Sequence, residues 1–134
     1  MACIARCYNN SNQTVTEEST TLNLLGSIVV DNTSAVTINT SSVRINNGGL
    51  YHIVADVTFT PTETTDQSVF TISWANNGVT LPCTITTEST TTTTTVHTET
   101  DIQLNRCCMI TPNLTLNIEG AAGTVSHICA AVSR

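Results

Sequence analysis

Lysine is absent from this sequence, and positive charge comes only from Arg6, Arg44, Arg106 and Arg134. Four scattered cations in a chain of net charge −6 cannot build the basic face that displaces counterions from phosphate, so nucleic acid is excluded as a partner. Charged residues make up only 10% of the chain, well under half the usual share of about 25%, and aromatics only 4%. Both shortages remove cleavage points for trypsin-like and chymotrypsin-like enzymes, which suits an exterior rich in proteases. Long apolar runs are missing too. The stretch Leu24-Leu25-Gly26-Ser27-Ile28-Val29-Val30 falls far short of the roughly twenty residues that cross a bilayer, so no membrane insertion is expected. The first eight residues, Met1-Ala2-Cys3-Ile4-Ala5-Arg6-Cys7-Tyr8, lack the charged start and apolar centre of a secretory signal. The expectation is a protein made in a cytoplasm and assembled onto a particle. Nor does any window hold apolar residues at helical spacing for three turns.

What fills the chain instead is threonine, serine and asparagine, residues of strands and turns. Period-two alternation recurs from end to end, the mark of half-buried strands. In residues 50–60, Tyr51, Ile53, Ala55, Val57 and Phe59 share one face while His52, Asp56, Thr58 and Thr60 share the other. Asn46-Asn47-Gly48-Gly49 turns the chain into that strand. Residues 68–74 place Phe70, Ile72 and Trp74 together, and Asn76-Asn77-Gly78 ends them with residues that tolerate positive φ. Leu114, Leu116 and Ile118 alternate with Thr115, Asn117 and Glu119. A last strand covers 124–132, and earlier ones fall at 23–30, 35–39 and 43–46. Short strands split by Asn, Gly and Pro predict an all-β fold, an antiparallel β-sandwich of jelly-roll type. With 134 residues there is room for one domain, assigned to 22–134, preceded by an N-terminal arm or docking segment at 1–21. The low-complexity stretch 84–100 reads as a solvent-facing strand pair, with a mobile or receptor-facing loop as the competing reading.

Residues with reactive side chains form no recognisable constellation. The six cysteines, Cys3, Cys7, Cys83, Cys107, Cys108 and Cys129, make no paired C-x-x-C spacing, and most are expected as free thiols, with a Cys3 to Cys7 bridge as a minor alternative. Cys107 and Cys108 are adjacent in a strand, so at most one faces the core. Cys129 shares a face of the last strand with His127 and Ala131. His52, His97 and His127 have no ligand-spaced partner beside them except Glu99, two residues from His97. The ten acidic residues are dispersed, and no Walker or Rossmann glycine loop is present. Catalytic, cofactor and metal sites are therefore all expected to be absent. Asn-x-Ser/Thr triplets begin at Asn9, Asn12, Asn32, Asn39 and Asn113, a number that chance supplies in such a composition.

The succession Gly49-Leu50-Tyr51-His52-Ile53, Val57-Thr58-Phe59, Phe70-Thr71-Ile72, Asn77-Gly78-Val79 and Leu81-Pro82 resembles the tumour-necrosis-factor-like jelly roll shared by the globular heads of complement collagen-like proteins. It is most similar to the bacterial and phage versions at the tips of spore-surface collagen-like glycoproteins and in virion fibres and decorations. The resemblance spans residues 22–134. It implies a homotrimer with apolar strand faces around a threefold axis and a role in attachment or capsid decoration. The family has calcium-binding members, but no carboxylate cluster here matches that site. The chain lacks a Gly-x-y stalk, which favours a trimeric phage virion protein, a capsid decoration or head fibre, over a spore protein. Residues 1–21 would then dock onto a capsid or other surface protein. The alternative is a carbohydrate- or receptor-binding head of a surface adhesin, with Trp74, Tyr8, Asp31 and Asp66 as its sparse candidate contacts. Tyr51, Ile53, Val57, Phe59, Phe70, Ile72, Trp74, Leu114, Leu116 and Ile118 are expected in the core or at the trimer interface.

Overall fold

The structure is a computed structural model, and it describes residues 2–104 and 111–134. Cys107 and Cys108 lie outside the described residues. The described residues form thirteen strands in chain order: β1 Cys3–Asn9, β2 Gln13–Val15, β3 Thr20–Thr21, β4 Ser27–Asp31, β5 Val36–Ile38, β6 Val43–Ile45, β7 Gly49–Pro61, β8 Ser68–Asn76, β9 Val79–Thr80, β10 Thr86–Thr90, β11 Thr94–Leu104, β12 Asn113–Glu119 and β13 Gly123–Ser133. Among the described residues a single 3-10 turn, Pro82–Thr84, separates β9 from β10.

The strands divide into two antiparallel sheets packed face to face. The first runs β11-β7-β13-β1-β4, with β2 also on β13; the second runs β10-β8-β12-β6-β5, with β3 on β12 and β9 on β8. Apart from the β5–β6 and β8–β9 hairpins, neighbours in a sheet are distant in sequence, the connectivity of a jelly roll. Alternation produces this directly. Every odd position of β7 from Tyr51 to Pro61 is buried and every even one from His52 to Thr60 is half-exposed. Each buried aliphatic or aromatic side chain of this kind is worth about 1.5–3 kcal/mol relative to exposure. All ten residues expected in the core or interface, Tyr51 through Phe59, Phe70 through Trp74 and Leu114 through Ile118, are fully buried within one chain. They join the two sheets and are not available to a neighbouring copy. Phe59 of the first sheet meets Phe70 of the second at 4.4 Å between ring centres.

The Asn-Gly signal is realised as a two-residue hairpin. Asn76 pairs with Val79, and both intervening residues, Asn77 at φ 51° and Gly78 at φ 83°, adopt the left-handed conformation that such a turn demands.

Two expectations need correction. Residues 1–21 are not a free arm: β1 lies between β13 and β4, and Ile4, Ala5 and Cys7 sit in the core. A register shift between Cys3 and Ala5 breaks the alternation there, which is why the segment does not read as a strand. Residues 84–100 hold two strands with mostly solvent-facing side chains, as expected, but these strands do not pair with each other. Their two strands belong to opposite sheets, β10 on β8 and β11 on β7. Thr84 and Thr98 are buried and satisfied: Thr98 Oγ1 donates to the Thr84 carbonyl at 2.7 Å, and Thr84 Oγ1 donates to the Leu81 carbonyl and accepts from the Trp74 N–H. The two hydroxyls join the sheets and are themselves satisfied, as buried polar groups are expected to be.

Candidate functional site

The outer face of the first sheet gathers the reactive side chains that the sequence keeps apart. Even-numbered residues of β7 point away from the core, so His52, Val54 and Asp56 line this face, opposite Asp101, Glu99 and His97 of β11. The antiparallel register makes a continuous chain of contacts. Asp101 Oδ1 lies 2.6 Å from His52 Nδ1, His52 Nε2 lies 3.4 Å from Glu99 Oε2, Glu99 Oε2 lies 3.3 Å from His97 Nε2, and His97 Nδ1 lies 2.7 Å from Asp56 Oδ1. Three carboxylates alternate with two imidazoles along two strands. Among the described residues no group of three His, Cys, Asp or Glu side chains is arranged to hold a metal ion. Both imidazoles meet the same oxygen of Glu99, Oε2, while their Nδ1 atoms are taken up by Asp101 and Asp56.

Sequence reasoning missed this ladder because it treated the histidines as isolated and the acids as dispersed. The signal was present in two pieces: His-x-x-x-Asp on the outward face of β7, and His-x-Glu-x-Asp on β11. Only the register that places His52 opposite Asp101 and Asp56 opposite His97 joins them. His127 is not part of it. It follows a bulge between Val125 and His127 in β13, and its Nδ1 meets Asn10 Oδ1 instead.

The ladder is negative, −3 with both imidazoles neutral and −1 with both protonated. The hydrogen bond to Asp56 is the largest influence on His97 and raises its pKa above the ordinary 6.5; desolvation opposes it, and the hydrogen bond to Glu99 and the charges of both acids add to the rise. A raised folded-state value means that the protonated form favours folding. The stabilisation is complete below the ordinary value and is lost as pH rises through the raised one. His97→Gln is therefore expected to shrink the difference in unfolding midpoint between about pH 5.5 and pH 8, as read by thermal melts at matched ionic strength. An unchanged difference would show that His97 gains nothing from its partners.

The same face continues across the sheet. Glu99 pairs with Val54, Val54 with Ala131 and Ala131 with Arg6, one transverse row over β11, β7, β13 and β1. The next row carries His97, Asp56, Cys129 and Tyr8. Ala131 points outward yet is only 4% exposed and lies outside the core cluster, so the middle of the face is close-packed and apolar. At the other end, Thr58 and Thr60 of β7 hydrogen bond to Thr95 and Thr93 at 2.9 and 2.7 Å.

Other candidates are placed elsewhere. Cys3, Cys7, Cys83 and Cys129 are free thiols. Burial, and then the nearby Cys129, push the Cys7 thiol up to about 11, so it stays protonated and unreactive at neutral pH. Trp74 is fully buried and cannot stack on a sugar; of the glycan candidates, Tyr8 is half-buried and only Asp31 and Asp66 are exposed. An open depression of about 570 Å³ lies at one end of the sandwich, lined by Glu17, Glu63, Gln67, Val69 and Gly120 among others. It contains no aromatic side chain. Glu63 there is held below its ordinary carboxylate value chiefly by the Thr65 and Asp66 backbone N–H groups.

This arrangement of sheets is a tumour-necrosis-factor-like jelly roll, and comparison with solved structures gives the same answer. The chain superposes over 98% of its length on 71% of the PRD1 vertex protein P5, with a TM-score of 0.68 and 12% identity. It matches 98% of the murine APRIL chain over 97% of its own length, at a TM-score of 0.62 and 14% identity. The globular domain of the zebrafish complement 1qA protein follows at a TM-score of 0.57 and 11% identity, covering 95% of this chain and 93% of that one. At such identities the likeness is one of fold. No protein-family model and no curated protein matches the chain in sequence.

Proposed function

We propose that this chain is a non-enzymatic, homotrimeric head on an exterior surface, and that its particular role is structural or attachment work on a virion, as a capsid decoration, vertex or head-fibre protein. The observation that carries the reading is the superposition of nearly the whole chain on a vertex protein, with murine APRIL and the globular domain of a complement protein sharing the fold. Two features of the protomer support it. No helix among the described residues is long and apolar enough to cross a membrane. The aromatic side chains that a sugar-binding head would present on its loops are instead in the core, Trp74 and Tyr51 above all. That makes the glycan-binding adhesin the weaker alternative.

Light scattering at micromolar concentration tests the assembly. The expected mass is three times the 14.2 kDa of the chain, unchanged by reductant because the described cysteines are free. A mass of one chain under both conditions would remove the trimeric head.

A further inference from the structure

The acid–imidazole ladder has more acceptors than donors when its imidazoles are neutral. Asp101 Oδ1 and Asp56 Oδ1 lie 2.6 and 2.7 Å from the Nδ1 atoms of His52 and His97, so short that each Nδ1 carries a proton and donates it to its aspartate. A neutral imidazole has one N–H and one lone pair, which leaves both Nε2 atoms as bare acceptors. Both face Oε2 of Glu99, a carboxylate oxygen that only accepts, at 3.4 and 3.3 Å. In the neutral ladder these two contacts set lone pair against lone pair. A second proton on each ring makes both Nε2 atoms donors to the same oxygen, and all four contacts then attract.

These contacts sit where the first sheet is held least. Strand β11 ends the sheet and, among the described residues, pairs with β7 alone. Its inward side is anchored by buried Val96, Thr98 and Leu104, with the Thr98 hydroxyl on the Thr84 carbonyl. On its outward side the Thr95–Thr58 hydroxyl pair and the ladder tie it to β7. Three of the four ladder contacts cross from one strand to the other: Asp101 to His52, His52 to Glu99 and His97 to Asp56. Deprotonation makes the His52 to Glu99 crossing repulsive and removes the positive charge that strengthens the other two.

We propose that the ladder is a proton-operated clamp on β11, closed with both imidazoles protonated and slack with both neutral, so that this edge of the first sheet opens locally as pH rises. The upward shift of His97, due first to Asp56, fits a closed state that takes up a proton. Closure is complete below the ordinary 6.5 and is lost as pH rises through the raised value. Besides the ladder residues, the titratable or charged groups on this face are Arg6 and Tyr8 of β1 and His127 and Cys129 of β13, Cys129 standing opposite Asp56. The clamp lies within one chain, so it stands or falls separately from the trimeric head.

Hydrogen exchange tests it. Protection factors, which remove the intrinsic pH dependence of exchange, are measured for β11 and for β12 of the other sheet at about pH 5.5 and about pH 8. The β11 amides bonded to β7 are expected to lose roughly three- to tenfold of their protection across that range, the size of change a few exposed ion pairs carry, while β12 stays level. Glu99→Gln is the discriminating variant. Its amide nitrogen offers two N–H groups, one for each neutral Nε2, so the ladder is satisfied without the second protons. In this variant β11 keeps or gains protection between the two pH values. Melting curves check that the variant folds, and if it does not, the wild-type comparison of β11 with β12 decides alone. A wild-type β11 whose protection changes no more than that of β12 would overturn the clamp, as would a folded Glu99→Gln protein that loses protection as the wild type does.

Discussion

Replacing Trp74 with alanine is expected to lower the unfolding free energy by about 3–5 kcal/mol, a large part of the 5–15 kcal/mol that stabilises a typical domain. Trp74 is the largest fully buried side chain, it lies opposite Leu116 in the β8–β12 ladder, and its backbone N–H is held by the buried Thr84 hydroxyl at 2.9 Å. Truncation leaves a cavity that neither sheet can close, since both are pinned by continuous ladders. The companion variant separates packing from polarity. The indole Nε1 is buried with no hydrogen-bond partner among the described residues. A buried donor left unpaired costs about 1–3 kcal/mol. Trp74→Phe removes that donor and keeps an aromatic ring in place, so its net cost is expected to be no more than about 1 kcal/mol, the two effects opposing each other. Urea unfolding curves of both variants decide it. A loss in Trp74→Phe as large as in Trp74→Ala would mean that the indole nitrogen is a satisfied anchor.

Trp74 also marks how far sequence reading reaches. Its place in the core follows from alternation with Phe70 and Ile72, and β7, β8, β12 and the last strand are legible for the same reason: long, regular, with one face apolar. Legibility fails where pairing, not pattern, decides the outcome. Strand β1 has an arginine in its middle and a register shift at its start, so its alternation is broken although it lies inside a sheet. Strand β4 fails in the opposite way. Its apolar Ile28 and Val29 are exposed, because β4 is an edge strand. The ladder is hidden most deeply: His52 and Asp101 are 49 residues apart, and His97 and Asp56 are 41 apart. Each strand carries a correct half of the ladder, but a shift of one residue in register would turn its acids away from its imidazoles. In the threonine-rich stretch composition says solvent and most side chains are indeed exposed or half-exposed, but it does not show that Thr84 and Thr98 use their hydroxyls to cross between the sheets.

Gly123→Ala is expected to destabilise the fold by about 3 kcal/mol, the upper part of the range for overpacking a close-packed site. Gly123 opens β13 opposite Pro61 of β7 and Val15 of β2. A methyl group there would lie within 2.4 Å of the Thr60 carbonyl oxygen and 2.6 Å of the Phe59 ring. Neither neighbour can retreat freely. The carbonyl belongs to the central strand of the sheet, and the Phe59 ring is set against Phe70, so the added atom must displace β13 from β7. Gly78→Ala is the control that isolates this effect. Gly78 has φ +83° but nothing within 4 Å of the added carbon. Its cost is conformational only, about 1–2 kcal/mol for an L-residue in the left-handed region. Phe59→Leu combined with Gly123→Ala should lose less than the sum of the two single losses, since the smaller side chain vacates one of the two clashes while the carbonyl keeps the other. Thermal and urea unfolding of the four variants test the ordering. If Gly123→Ala is no more costly than Gly78→Ala, then β13 has room to shift where it enters the sheet, and the close approach of β13 to β7 is not what makes glycine necessary at this position.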